Sequence, residues 1–539
     1  MMLNRLQLIT ILSAIWFLSA SCGKKTSPPD ILLIMADDMG YSDIGCYGGE
    51  INTPSIDALA SEGVRFTQFY NSARCCPTRA ALLTGLYPHQ AGLGHMVDGI
   101  VRGGGYFGEL NNNCVTIAEV LGSNGYSTYM SGKWHVSRSV STDDIHNWPL
   151  QRGFERFYGT ITGAGSYYDP ATLTYMNDPI SAKPGFYYTD AIADSAMAFI
   201  ESHISRKKDK PYFMYMAFTA PHWPLHAPED VISRYEELYS KGWDILRDER
   251  MDRQKQSGII GNDIILSDRD SSVPVWEDVT EKDWQARRMA TYAAQVEIMD
   301  MNIGRILNLL EKNGRLENTI VIFLSDNGGC AEGWNSSTEW VRRYAPAVNY
   351  SGDSLRFDNT PDVWPGADDT YASYSTEWAN LSNTPFRMYK HYTHEGGIAT
   401  PFIVRWPGKI KKGGELRQQV AGIIDIMATL VEVTGAEYPG TYNGNEIIRP
   451  AGISLVDAIL NNGETGRESY YFEHEWNRAV RTGDWKLVSL WNGEWELYNM
   501  ATDRTEMNDL SPDYPLKVKE MADDWEQWAW RTGVLPRTE

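Results

Sequence analysis

Positive charge is scarce in this chain of 539 residues: Lys and Arg number 49 against 70 Asp and Glu, a formal net charge of −21. With no basic excess to neutralise phosphates, nucleic acid is excluded as a partner. An anionic substrate would have to meet cations concentrated locally, for which Arg79, Lys133 and Lys390 are the candidates. Cysteine is also sparse, with six in all, and Cys46, Cys76, Cys114 and Cys330 match no zinc-ligand spacing. No internal repeat or low-complexity block interrupts the chain. What is there is a 42% hydrophobic sequence, enough to bury the core of a large soluble enzyme with one large and one small domain.

The first residues read as an export signal. Arg5 precedes an apolar run over residues 6–20 that is too short for a comfortable membrane span. Ser19-Ala20-Ser21-Cys22 then resembles a bacterial lipoprotein cleavage site, with Ser19 where a branched aliphatic is usual and Cys22 as the lipidated residue. That assigns 1–21 to the signal peptide and 22–28 to a polar tether. The expected location is the bacterial periplasm or the outer-membrane surface, with membrane contact only through the lipid on Cys22. An ordinary cleaved signal peptide is the alternative.

The most informative stretch is Cys75-Cys76-Pro77-Thr78-Arg79, running on into Ala80-Ala81-Leu82-Leu83-Thr84-Gly85. Pro77 followed by good helix formers predicts a loop-to-helix junction. A nucleophile there faces unsatisfied N–H groups and the positive end of the helix dipole, and Arg79, one turn on, adds a planar cation that holds an oxyanion through two hydrogen bonds. The Cys-to-Arg spacing is too short for a cysteine-phosphatase loop. Upstream, Ile31-Leu32-Leu33-Ile34-Met35-Ala36 is the continuous apolar pattern of a buried parallel strand, and Asp37-Asp38 follow it directly. A second such strand, Ile320-Val321-Ile322-Phe323-Leu324, ends in Ser325-Asp326-Asn327-Gly328-Gly329. Open α/β sheets place ligands at the carboxyl ends of their strands. Three carboxylates and an amide oxygen make a hard site suited to calcium or magnesium rather than zinc, and the spacing excludes an EF-hand.

The string C-x-P-x-R followed by A-A-L-L-T-G resembles the signature of type I sulfatases, in the alkaline-phosphatase-like superfamily, and the resemblance extends over nearly all of the mature chain. It implies that Cys75 is converted after translation to formylglycine by a separate sulfatase-maturating enzyme, and that the hydrated aldehyde is the nucleophile. It also implies one bound calcium, held by Asp37, Asp38, Asp326 and Asn327 with the converted Cys75 completing the shell. Gly132-Lys133-Trp134-His135 resembles the family's G-K-W-H segment, and Ala220-Pro221-His222-Trp223-Pro224-Leu225 its A-P-H-x-P-L segment. The stretch from Asn383-Thr384-Pro385 to Lys390 resembles the segment bearing the last lysine. Extended geometry after residues 127–130 would put Lys133 and His135 on one face.

The roles that follow are those the resemblance implies. Arg79 and Lys133 hold the nucleophile and the sulfate oxygens. Asp326 takes a proton from the attacking hydroxyl, His222 helped by Lys390 protonates the departing alcohol, and His135 removes the second proton to expel sulfate. The implied fold is α/β, with a catalytic domain over 29–410 built on a mostly parallel sheet between helices. A smaller C-terminal subdomain over 411–539 would carry an antiparallel sheet and a closing helix around 516–532. Residues 228–256 look like the long middle insertion of a bacterial arylsulfatase subgroup. Gly422 stands where many relatives have histidine.

Specificity is expected along 330–382, where Trp334, Trp340, Trp364 and Trp378 would form a pocket wall. His89, His95, His474 and Glu475 are further candidates, although ordinary loop polarity is the favoured reading of them. The expected function is a calcium-dependent sulfuric ester hydrolase acting on a sulfated carbohydrate or an aryl sulfate. The alternatives are a phosphate or phosphonate ester hydrolase on the same scaffold, and a non-catalytic glycan-binding lipoprotein.

Overall fold

The computed structural model describes residues 28–97, 99 and 103–536. The signal peptide, Cys22 and all but the last residue of the tether lie outside them. A ten-stranded sheet dominates, with its centre formed by the parallel strands Thr319–Ser325, Asp30–Ala36, Tyr212–Ala217, Ser127–Gly132 and Arg156–Thr160, in that spatial order. Every residue of Asp30–Ala36 is buried, as a strand covered by helices on both faces requires. Phe402–Arg405 runs antiparallel beside Thr319–Ser325 and carries Val64–Phe66 on its other edge. The sheet ends on Glu415–Arg417, paired parallel to Val64–Phe66. The large sheet therefore takes a strand from beyond residue 410, later than the boundary expected from sequence.

The helix Lys282–Lys312 is 31 residues long and buried along most of its first six turns, packing against Tyr188–Arg206, Pro54–Glu62 and the short helix Glu236–Tyr239. The expected insertion over 228–256 folds as three helices that brace the loop after the first strand. From the helix Trp243–Ser257, Arg250 donates from Nη1 to Asp43 (2.8 Å) and from Nη2 to Glu50 (2.7 Å). Tyr292 donates to the second oxygen of Asp43 (2.7 Å), so this carboxylate is fixed from two helices. Among the described residues no helix is long and apolar enough to cross a membrane, and the five cysteines are free.

The C-terminal sheet is an antiparallel meander, Ser469–His474, Asn477–Thr482, Trp485–Ser489 and Glu496–Asn499. Helix Pro515–Thr532 covers it, burying Met521, Trp525 and Trp528 at helical spacing. Trp528 stacks on Tyr471 at 5.2 Å. The C-terminal region is tied to the short helix Glu395–Ile398 through buried ion pairs: Lys486 and Arg504 reach Glu395 at 3.0 and 3.3 Å. Gly422 packs where an added Cβ would meet the Tyr470 ring at 2.3 Å, so a histidine here requires a different neighbour.

A buried histidine fixes the outer loops. His226 accepts at Nδ1 from the Tyr167 N–H (3.3 Å) and donates from Nε2 to the Thr370 carbonyl (2.6 Å). Burial pushes its pKa down to about 4. A base depressed in the folded state contributes stability that is complete above its unfolded value near 6.5 and is lost as pH falls toward 4. The expected result is a decline between pH 6.5 and 4.5 that is shallower, by up to about 1.4 kcal/mol per pH unit, in His226→Gln than in the parent. Urea unfolding at three pH values measures it; equal slopes would remove His226 from the acid lability.

Candidate active site

The central parallel strands end at one place. Asp37 and Asp38 follow Asp30–Ala36, Asp326 and Asn327 follow Thr319–Ser325, Lys133 follows Ser127–Gly132, and His222 lies just beyond Tyr212–Ala217. Helix Cys75–Thr84 enters from the side, with all ten residues buried and no side-chain cap at its start. Its N-terminal N–H groups remain available to an anion. The side chains of Asp37, Asp38, Asp326, Asn327, Arg79 and Lys133 are wholly buried.

Ion pairs run through the group. Lys133 Nζ donates to Asp37 Oδ2 at 2.5 Å, and Arg79 Nη2 lies 3.0 Å from Asp326 Oδ2 and 3.7 Å from Asp37 Oδ1. Lys390 Nζ donates to Asp38 Oδ2 at 2.8 Å, while His222 Nε2 stands 3.2 Å from that oxygen and 3.3 Å from Lys390 Nζ. Asn327 donates its amide to Asp38 Oδ1 at 2.7 Å. Two oxygens remain without a hydrogen-bond partner although buried, Asp37 Oδ1 and Asn327 Oδ1. Burial and the neighbouring Asp326 push the Asp37 carboxyl well above its usual range despite Lys133 and Arg79. Crowded carboxylates with orphaned oxygens fit a hard dication, and the all-oxygen donor set fits calcium.

Charge also surrounds Cys75. The Cys76 side chain, ahead of Lys133 and His135, holds the Cys75 thiol well below its ordinary range against the opposing effect of burial. His135 reaches Cys75 and Cys76 by a route different from the expected one. The extended backbone stops at Gly132 (φ +116°), and His135 itself is left-handed at φ +58°. Lys133 and His135 therefore do not share a strand face; a turn directs one to Asp37 and the other to the thiols. The ring of His135 rests on Gly163, where an added Cβ would come within 1.9 Å of it. Gly163→Ala should displace that ring and cut turnover about 100-fold, since a misplacement of 1 Å has that order of effect. Steady-state kinetics with the melting temperature measured alongside test this; unchanged kcat would show the ring position to be unimportant.

Three residues that the sequence did not single out belong to the cluster. Glu332, its side chain 10% exposed, accepts from Trp223 Nε1 (2.7 Å), pairs with Arg74 (3.0 Å) and stands 3.6 Å from Lys390. Arg74 stands at the first position before the helix Cys75–Thr84, and His391 follows Lys390. Adjacency to Cys75 and Lys390 was the only signal for the last two, and Glu332 had none. Of the four expected tryptophans, Trp334 and Trp340 gather on Trp223 at 5.1 and 6.2 Å, beside His222. Trp378 is instead buried among Trp243, Trp276 and Tyr239, and Trp364 faces Arg287. Helix packing sets the place of Trp378, while Trp364 is 42% exposed on a loop. His89 is a structural partner of Glu473 at 2.6 Å. A cavity of about 820 Å³ opens next to His391, lined by His95, Tyr106, Glu475, Trp476, Asn477 and Trp491 among others.

A buried cysteine on a helix end, ringed by cations and by a hard-oxygen cluster at the strand ends, fits a hydrolase of anionic esters. Comparison narrows the class. The sulfatase family model matches residues 29–436, and the model of the N-sulphoglucosamine sulphohydrolase C-terminal region matches 386–527. The chain is 35% identical to an uncharacterized sulfatase of Schizosaccharomyces pombe, covering 95% of both chains. It is 32% identical to an arylsulfatase of Klebsiella aerogenes over 79% of this chain and 91% of that one. A sulfatase from Pseudoalteromonas sp. superposes with a TM-score of 0.62 at 21% identity, covering 95% of this chain and 92% of that chain. The chain belongs to the type I sulfatase family and is a sulfuric ester hydrolase.

Proposed function

We propose that this enzyme cleaves sulfate monoesters, with a sugar ester as the preferred substrate, through formylglycine formed from Cys75 and one calcium ion. The observation that carries this is the pairing of a buried nucleophile position with the unpartnered oxygens of Asp37 and Asn327. Asp37, Asp38, Asp326 and Asn327 would hold the calcium with the converted Cys75. The modified residue supplies the nucleophile, and the metal draws charge from the sulfuryl oxygens. Arg79, Lys133 and Lys390 are balanced by Asp37, Asp38 and Asp326, so a dication leaves the pocket positive for a sulfate monoanion.

The remaining chemistry is the chain's own. Arg79 and Lys133, both pinned by carboxylates, orient the sulfuryl oxygens. Asp326 and His135, the latter beside Cys75, serve as the bases. His222 donates from Nδ1 to the Trp223 carbonyl at 2.7 Å, leaving Nε2 to accept from Lys390. Burial works to lower the Lys390 ammonium, but Asp38, Cys330 and Glu332 hold it well above its usual range. The proton for the departing alcohol thus resides on the Lys390–His222 pair. Export and a lipid on Cys22 belong to the same proposal and rest on the leader sequence; fatty-acid labelling lost in Cys22→Ser would support them.

The adjoining cavity, with Trp476, Trp491, Asn477 and Glu475 on its walls, supports a sugar over a small aryl group. The test is sulfate release by matured protein from a panel of sulfated sugars and nitrophenyl sulfate, with conversion of Cys75 confirmed by mass spectrometry on the same sample. Strong release from one sugar isomer is the expected result. Preference for the aryl ester would overturn the sugar assignment, and turnover of phosphate esters alone would overturn the ester class.

A further inference from the structure

We propose that His391, His474 and Glu475 form a second metal site, taking a transition-metal dication of the zinc class where the C-terminal sheet meets the large domain. The turn Glu475-Trp476 closes the hairpin between Ser469–His474 and Asn477–Thr482, and both turn residues are left-handed (φ +49° and +69°). This turn carries Glu475 over His391, whose Nδ1 lies 2.7 Å from Glu475 Oε2. One donor atom from each of the three residues falls within 4.8 Å of the others. His95 stands close by, with Nε2 3.6 Å from Glu475 Oε1.

His474 supplies the independent observation. Its ring is fully buried, and neither nitrogen has a hydrogen-bond partner; Glu475 Oε1, at 3.6 Å from Nε2, is its nearest carboxylate. A buried imidazole with both nitrogens unanswered forfeits about 1–3 kcal/mol per group, which coordination recovers. Two imidazoles and a carboxylate suit zinc and its neighbours, not calcium. The surrounding charge favours a cation: Glu332, Glu473 and Glu475 outnumber Lys390, 3.6 Å from Glu332, and Arg74, which touches the His391 ring and pairs with Glu332 at 3.0 Å. Coordination therefore asks Arg74 to withdraw from His391 while keeping Glu332. Glu475 and His391 also line the 820 Å³ cavity, so a coordination position faces the solvent.

Cys75, Cys76 and His135 form another donor group within 4.8 Å, and unconverted protein could bind zinc there. The experiment is therefore zinc titration of full-length, calcium-saturated Cys75→Ser protein, with bound metal counted by mass spectrometry and cobalt used as a spectroscopic probe. The expected result is one zinc equivalent, cobalt ligand-field bands without thiolate charge transfer, and affinity lowered at least about tenfold in both His474→Gln and Glu475→Gln. Glu475 is on a partly exposed turn, so its variant carries the test if His474→Gln does not fold. No bound equivalent in the Cys75→Ser protein, or binding undiminished by Glu475→Gln, would overturn the site. Neither readout depends on sulfatase activity.

Discussion

Cys75→Ser, made in a host that leaves the serine unoxidised, is expected to lose sulfate release by about 10⁴-fold or more, the scale of removing a catalytic nucleophile. The substitution is nearly isosteric at a fully packed position: Cys75 is 2% exposed, and helix Cys75–Thr84 is buried throughout. A purely structural thiol would give the opposite outcome, with activity intact and a melting temperature lower by a few degrees. Calcium affinity should fall but persist, because Asp37, Asp38, Asp326 and Asn327 are held by Lys133, Arg79, Lys390 and backbone contacts rather than by residue 75. Sulfate release, calcium titration and peptide mass spectrometry on one preparation separate these cases. Full turnover by protein retaining unmodified serine would dismiss Cys75 as the nucleophile.

Much of this site is legible in the amino-acid sequence because its residues sit at strand ends. The apolar runs 31–36 and 320–324 fix two buried strands, and a parallel sheet brings their carboxyl ends together. Asp37, Asp38, Asp326 and Asn327 are then neighbours by topology. Cys75 and Arg79 lie on one helix, where spacing alone sets their relation. What escaped has a common cause. Glu332 acquires its meaning only when Arg74, Trp223 and Lys390 converge on it from three other segments. His135 turns on a left-handed backbone that no strand period foretells. Trp378 reads like Trp334, yet one is locked among insertion helices and the other faces His222 across Trp223. The edge strand Glu415–Arg417 is three residues long, too short for periodicity to register.

Lys390→Ala and His222→Ala should each slow hydrolysis of a sugar sulfate by about 10²–10⁴-fold while costing little with nitrophenyl sulfate. An alkoxide leaving group needs a proton as the S–O bond breaks, whereas nitrophenolate departs as the stable anion. In the proposed mechanism the two residues share that proton: Lys390 Nζ and His222 Nε2 are 3.3 Å apart, and both contact Asp38 Oδ2. Because they act as a unit, the double variant should be scarcely slower than the worse single one. Glu332→Gln should resemble Lys390→Ala in miniature, since a carboxylate 3.6 Å from the ammonium helps hold its charge. The decisive measurement is the dependence of kcat/KM on leaving-group pKa, which should be steeper in the variants than in the parent. Equal losses on both substrates would instead place Lys390 and His222 in holding the sulfuryl group, and the proton donor would have to be sought elsewhere.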